Sequence, residues 1–290
     1  MNEKKEKKDQ YIIAYIADFG RTEAVVTYAI HLSRMLHKGL VLLHICDPRH
    51  SALTPDDAEA QLKQLRNTLL EREWFGTALD DKEVTYAALK GNSRQLIAAL
   101  PQLMGAVAVV AQADRKCHGR NPMSVSSLLK NFADCKTAFL VVQEPLTHPE
   151  RMKEVAMAID FKKESKDKMI WSSYFPRFGN ANMHVLYYDY KDAFLKDKWY
   201  ANMKQLHKLY TDLGITFQPH IIESKSTYQD INALRFAAAQ GYGLLIAVTT
   251  KEKDGLEFFI GTQEQRTIVN RDAIPILFLN PREDLYVLCD

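Results

Sequence analysis

The sequence lacks the cysteine pattern of a metal or disulfide scaffold. Its four cysteines, Cys46, Cys117, Cys135 and Cys289, form no C-x-x-C and match no zinc spacing. They read as reduced, mostly buried thiols of a cytosolic protein. Charge of one sign is not in excess. Lys plus Arg number 38 and Asp plus Glu 36, a net +2, which removes any bulk-charge argument for nucleic acid or a membrane surface. No apolar run approaches the ~20 residues of a membrane helix. Residues 1–10 alternate Lys4, Lys5, Lys7 and Lys8 with Glu3, Glu6 and Asp9 and lack the apolar region of a signal peptide. They read as a solvated, disordered tail on a cytoplasmic protein.

Catalytic signatures are missing as well. There is no G-x-x-x-x-G-K-[ST], which excludes a P-loop NTPase, and no H-E-x-x-H. The absence of G-x-S-x-G removes the usual nucleophile elbow of α/β-hydrolases. Gly241-Tyr-Gly243 begins like a dinucleotide fingerprint, but Ile246 takes the third glycine position and the segment precedes a strand. The nine histidines are dispersed: His31 and His37 lie six apart on one helix, and His44 reads as a core or strand-end residue. Asp56-Asp57 and Asp80-Asp81 read as a helix start and a turn. The aromatic cluster Trp171 to Phe178 reads as helix packing, since no basic stripe interleaves it.

What is present is an internal repeat. A short apolar run ends at Asp18-Phe19, and another ends at Asp160-Phe161, 142 residues later. Second runs follow at 40–45 and 183–188, each ending near an Asp (Asp47, Asp189). Ala106 to Val110 recurs as Leu244 to Val248, 138 residues on, and 138–142 recurs as 275–279. The runs are apolar on both faces, as in a parallel sheet covered on both sides. Between them the periodicity is helical: Val25, Ala29, Leu32 and Leu36 share a face of 22–37. Thr54-Pro55-Asp56-Asp57 supplies an N-cap, a first-turn proline and acids for the positive helix end. A long helix is expected over 191–213, and third helices from Asn92-Ser93 and Ser226-Thr227. Strand–helix alternation implies βαβ units. The expectation is an α/β protein of two tandem Rossmann-like domains at 11–145 and 154–281. Each would be a five-stranded parallel sheet with helices on both faces. A linker falls near 144–153, and a C-terminal tail at 282–290.

With an Asp closing the first strand of each copy, the chain resembles the universal stress protein family in its tandem form. The resemblance runs from about Tyr11 to Pro281 and implies an adenine nucleotide alpha hydrolase-like fold. In that family the first-strand Asp contacts adenine, the place held here by Asp18 and Asp160. A Gly after the third strand is matched by Gly91, but the second copy has Ser224-Lys225-Ser226. The family's G-x2-G-x9-G-[ST] loop lets backbone N–H groups and a helix N-terminus hold phosphates. Here it is eroded. Thr249 follows the fourth strand of the second copy, Gly261-Thr262 matches the end of the motif, and Gly255 is displaced. In the first copy Ser124-Val125-Ser126 supplies the hydroxyl end while Met123 replaces the glycine. Side chains in place of glycines crowd a triphosphate. Arg115, Lys116, Lys251 and Lys253 read as solvated loop charges. Tyr187 and Tyr188 stand where the family keeps small aliphatic residues and would either stack on a base or fill the pocket; filling is favoured.

The resemblance therefore implies a cytoplasmic stress-response protein that binds a protein partner and catalyses nothing. No metal is expected, and no cofactor is implied beyond ATP or another adenine nucleotide. The second copy is the better candidate for that ligand. The two domains would pair as an intrachain pseudo-dimer, with a homodimer open, and without nucleic acid or membrane. The alternatives are a slow ATPase or adenylyl-type transferase, or a structural scaffold with both pockets filled.

Overall fold

The computed structural model describes residues 9–163, 165–222, 229–249 and 267–281. The first half runs β1 (Tyr11–Tyr15), α1 (Glu23–Leu36), β2 (Gly39–Cys46), α2 (Pro55–Leu70), β3 (Val84–Lys90), α3 (Ser93–Met104), β4 (Ala106–Gln112), α4 (Val125–Phe132) and β5 (Ala138–Val142). The second half runs β6 (Glu154–Ile159), α5 (Ser165–Ser172), α6 (Tyr174–Gly179), β7 (Asn182–Tyr188), α7 (Ala193–Asp212), β8 (Phe217–Ile222), α8 (Gln229–Gln240), β9 (Leu244–Val248) and β10 (Ile276–Leu279). The expected helix starts are found: the Thr54 hydroxyl accepts from Asp57 N–H, and Asn92 Oδ1 accepts from Arg94 and Gln95. The segment expected as a linker closes in a 3-10 turn over Pro149–Lys153. The expected helix start at Ser226-Thr227 lies outside the described residues.

The ten strands of the described residues join one sheet in the order β3-β2-β1-β4-β5-β10-β9-β6-β7-β8. Read outward from the middle, both halves have the same order. Pairing is parallel within each half. At the seam β5 and β10 are antiparallel, Phe139 opposite Phe278, with their rings stacked at 5.5 Å. A sheet of this kind must be covered twice. One core lies under α1, α2, α5, α6 and α7, and the other under α3, α4 and α8; each spans both halves.

The repeat extends to a close backbone crossing. Gly105, ahead of β4, sits where a Cβ would stand 2.2 Å from the carbonyl oxygen of Asp9. Gly243, ahead of β9, sits where a Cβ would stand 2.0 Å from that of Arg151. Only glycine lets the fourth strand of each copy start so close to the chain entering its first.

Candidate functional site

In a doubly wound sheet the crevice for ligands opens where strand order reverses, beyond the carboxyl ends of the strands. In the first half that point lies between β1 and β4. Asp18 stands there, half-exposed; its Oδ1 accepts from Gly20 N–H at 2.8 Å. The neighbouring Arg21 reaches across the crevice to an ion pair with Asp114, just beyond β4. A salt bridge thus spans the mouth of this crevice.

The loop from β4 to α4 is satisfied internally. Ser124 caps α4, accepting from Ser127 N–H at 3.3 Å and donating its hydroxyl to Gly119 O at 3.0 Å. Ser126 is exposed, its hydroxyl 3.4 Å from that of Ser124. Arg115 donates to Val269 O of the second half, so this charge is committed to a contact between the halves. Gly91, at φ +149°, turns the chain from β3 into α3. The α3 N-terminus is held by Asp47, whose Oδ2 accepts from Ser93 N–H at 2.7 Å. Asp47 is buried and paired through both oxygens with Arg49, at 2.9 and 2.6 Å. That pairing, aided by backbone N–H groups against the opposing effect of burial, holds its carboxyl well below the usual range. His44 is a strand-end histidine in the core, 2.7 Å from Ile16 O and 3.1 Å from the Ser51 hydroxyl; burial lowers its pKa.

In the second half, Asp160 follows β6. Its Oδ1 accepts from the Ser165 hydroxyl at 2.5 Å and from Lys162 N–H at 3.1 Å, and its carbonyl accepts from Asn202. The Thr249 hydroxyl, just past β9, donates to Asn280 Oδ1 at 2.6 Å. Asn280 Nδ2 in turn donates to Phe132 O and Cys135 O of the first half, both at 2.8 Å. Tyr188 is buried in the core, while Tyr187 stacks on Trp199 with centroids 5.3 Å apart. Gly261, Thr262, Gly255, Lys251, Lys253 and the segment Ser224-Lys225-Ser226 lie outside the described residues, as does Cys289. Asp160 and Thr249 are therefore the site residues of this copy whose surroundings are described.

Among the described residues no group of three or more His, Cys, Asp and Glu is placed to hold a metal ion, and no helix is long and apolar enough to cross a membrane. Sequence reasoning missed the Arg21–Asp114 bridge, the Asn280 lock, and a chain of Glu154, His184, His220 and Tyr242 beneath the second half. A cleft of about 150 Å³ where the halves meet also went unforeseen; Tyr28, Glu144, Arg151, Tyr242 and Asp272 line it. None of these carries a sequence motif.

No family model and no curated protein matches the chain. Solved structures do. A universal stress protein from Archaeoglobus fulgidus superposes with a TM-score of 0.64 at 12% identity, covering 96% of this chain and 98% of its own. A putative universal stress protein from Pseudomonas aeruginosa gives 0.62 at 14% identity, with 94% of each chain covered. The cytoplasmic domain of a prokaryotic cation chloride cotransporter gives 0.55 at 10% identity, covering 95% of this chain and 97% of that one. The fold is that of the universal stress proteins.

Proposed function

We propose that the protein is a non-catalytic, cytoplasmic stress-type module that acts by binding a protein partner, its halves paired as an intrachain pseudo-dimer. One observation carries this reading: the Arg21–Asp114 ion pair spans the first crevice. Two others support it. The hydroxyls of Ser124 and Thr249 are spent inside the chain. The same fold also serves as a cytoplasmic domain in the cotransporter, a place in a larger assembly. Any adenine nucleotide goes to the second half, beside Asp160. A scaffold with both pockets filled is the second reading, favoured by the burial of Tyr188.

The test is calorimetry with ATP on the intact chain, with mass spectrometry of the supernatant after denaturation and an assay for released ADP. The expected result is no turnover, and any binding limited to one site per chain and lost in Asp160→Ala. Sustained ADP release would make the protein an enzyme. Binding lost in Asp18→Ala but kept in Asp160→Ala would reverse the order of the copies. No binding and no retained nucleotide would select the scaffold.

A further inference from the structure

Four polar side chains meet towards the amino ends of the second half's strands, the edge opposite that half's own crevice. Glu154 opens β6, His184 lies in β7, His220 in the edge strand β8, and Tyr242 in the turn from α8 to β9. Register brings them to one face: Ala156 pairs with His184, and Leu186 with His220, so 154, 184 and 220 share pleat parity. His184 Nε2 lies 2.7 Å from Glu154 Oε2, and Asn182 donates to the other carboxylate oxygen at 2.7 Å. His184 Nδ1 lies 3.1 Å from His220 Nε2, and the Tyr242 hydroxyl 3.4 Å from that same nitrogen. The Tyr242 ring lies flat on His184, centroids 4.0 Å apart and planes 16° from parallel.

The two imidazole nitrogens face each other head on, because a ring-centroid separation of 5.3 Å is nearly the widest that nitrogens 3.1 Å apart allow. Two ligands of a tetrahedral ion would converge at an angle. Head-on nitrogens make an N–H···N bond, in which one nitrogen carries the hydrogen and the other must not. A further proton on the acceptor leaves two N–H groups opposed and the bond gone. Solvent reaches the chain through the half-buried Glu154 and His220, while His184 is 4% exposed. Burial, and then His184, push the His220 pKa down. Burial alone would raise Glu154, but the hydrogen bonds from His184 and Asn182 outweigh it and hold the carboxyl low. The charged and titratable groups facing the pair are Glu154 from β6 and Tyr242 from the turn. β7 adds the neutral Asn182 and α8 the ring of Phe236, 5.4 Å from His220. Arg151 and Asp272 lie beyond, in the cleft that Tyr242 also lines.

We propose that Glu154, His184, His220 and Tyr242 form an acid-released clamp that holds edge strand β8 and the end of α8 against β7. On acidification one imidazole takes a proton from solvent, the His184–His220 bond opens, and β8 loosens.

The test is amide hydrogen exchange of the full chain from about pH 7.5 to about pH 5, corrected for intrinsic exchange, across the histidine range. In β8, exchange should rise about tenfold per pH unit below the midpoint, as uptake of one proton requires. The seam strand β5, which contains no histidine, should stay flat. His220→Gln keeps an amide donor for His184 but does not titrate, and it should abolish the pH dependence in β8. If this variant also exchanges fast in β5 it has lost its fold. Nitrogen-15 spectra of the wild-type imidazoles then decide: a coupling across the His184–His220 bond present at the upper pH and gone at the lower supports the clamp. A coupling that persists at the lower pH overturns it, as does β8 exchange that is independent of pH or unchanged in a folded His220→Gln chain.

Discussion

Replacing Asn280 by Ala tests whether the seam is held by one side chain. Asn280 donates to Phe132 O and Cys135 O at 2.8 Å each and accepts from the Thr249 hydroxyl at 2.6 Å. Around it the seam holds three residue pairs between β5 and β10, one ring stack, the reach of Arg115 to Val269, and the packing of α1 on α6. Ala removes three hydrogen bonds of about 1 kcal/mol net each, about 3 kcal/mol in total, and leaves the Thr249 hydroxyl its longer bond to Leu279 O at 3.4 Å. In a chain of this length that lowers the melting midpoint by roughly 5–10 °C. Thr249→Val removes one of the three bonds and should cost about 1 kcal/mol. Asn280→Asp keeps the acceptor for Thr249 but aims a carboxylate at two carbonyls, so it should do no better than Ala. Urea unfolding followed by circular dichroism reads all three variants. Asn280→Ala within about 0.5 kcal/mol of wild type, the range of an ordinary surface change, would refute the reasoning.

Gly243→Ala sets a methyl 2.0 Å from Arg151 O, and Gly105→Ala sets one 2.2 Å from Asp9 O at a positive φ. Each should cost about 3 kcal/mol by forcing backbone apart, read as a fall in thermal midpoint; a neutral result at either would show the crossings can widen. His31 is driven down from 6.5 to about 4, by burial first and by Arg34 second. Its folded form favours the neutral ring, so this stability is full above pH 6.5 and lost as pH falls through about 4. On the order of 3 kcal/mol is at stake, and His31→Leu should flatten that part of a stability–pH curve.

The repeat was legible because it is written in local pattern. Apolar runs closed by Asp18 and Asp160, and helix starts at Thr54 and Asn92, need only neighbouring residues to be read. The strand that joins the halves was not, because β10 meets β5 through tertiary register and carries no signal of direction. The same holds for the site. Asp18, Gly91 and Ser124 stand beyond the carboxyl ends of their strands, a place local pattern can give, but Arg21 and Asp114 are 93 residues apart and their ion pair is set by strand adjacency. Glu154, His184, His220 and Tyr242 come from four elements, and only the pleat parity of three strands aligns them.

The antiparallel seam fixes where each half can meet the outside world. Because β5 and β10 run in opposite directions, the carboxyl edges of the two halves face opposite ways. The two crevices therefore open on opposite edges of the sheet. The seam also consumes the free edge of both last strands. Among the described residues the outermost strands are β3 and β8, and β8 carries Pro219, which has no N–H to give to a neighbour.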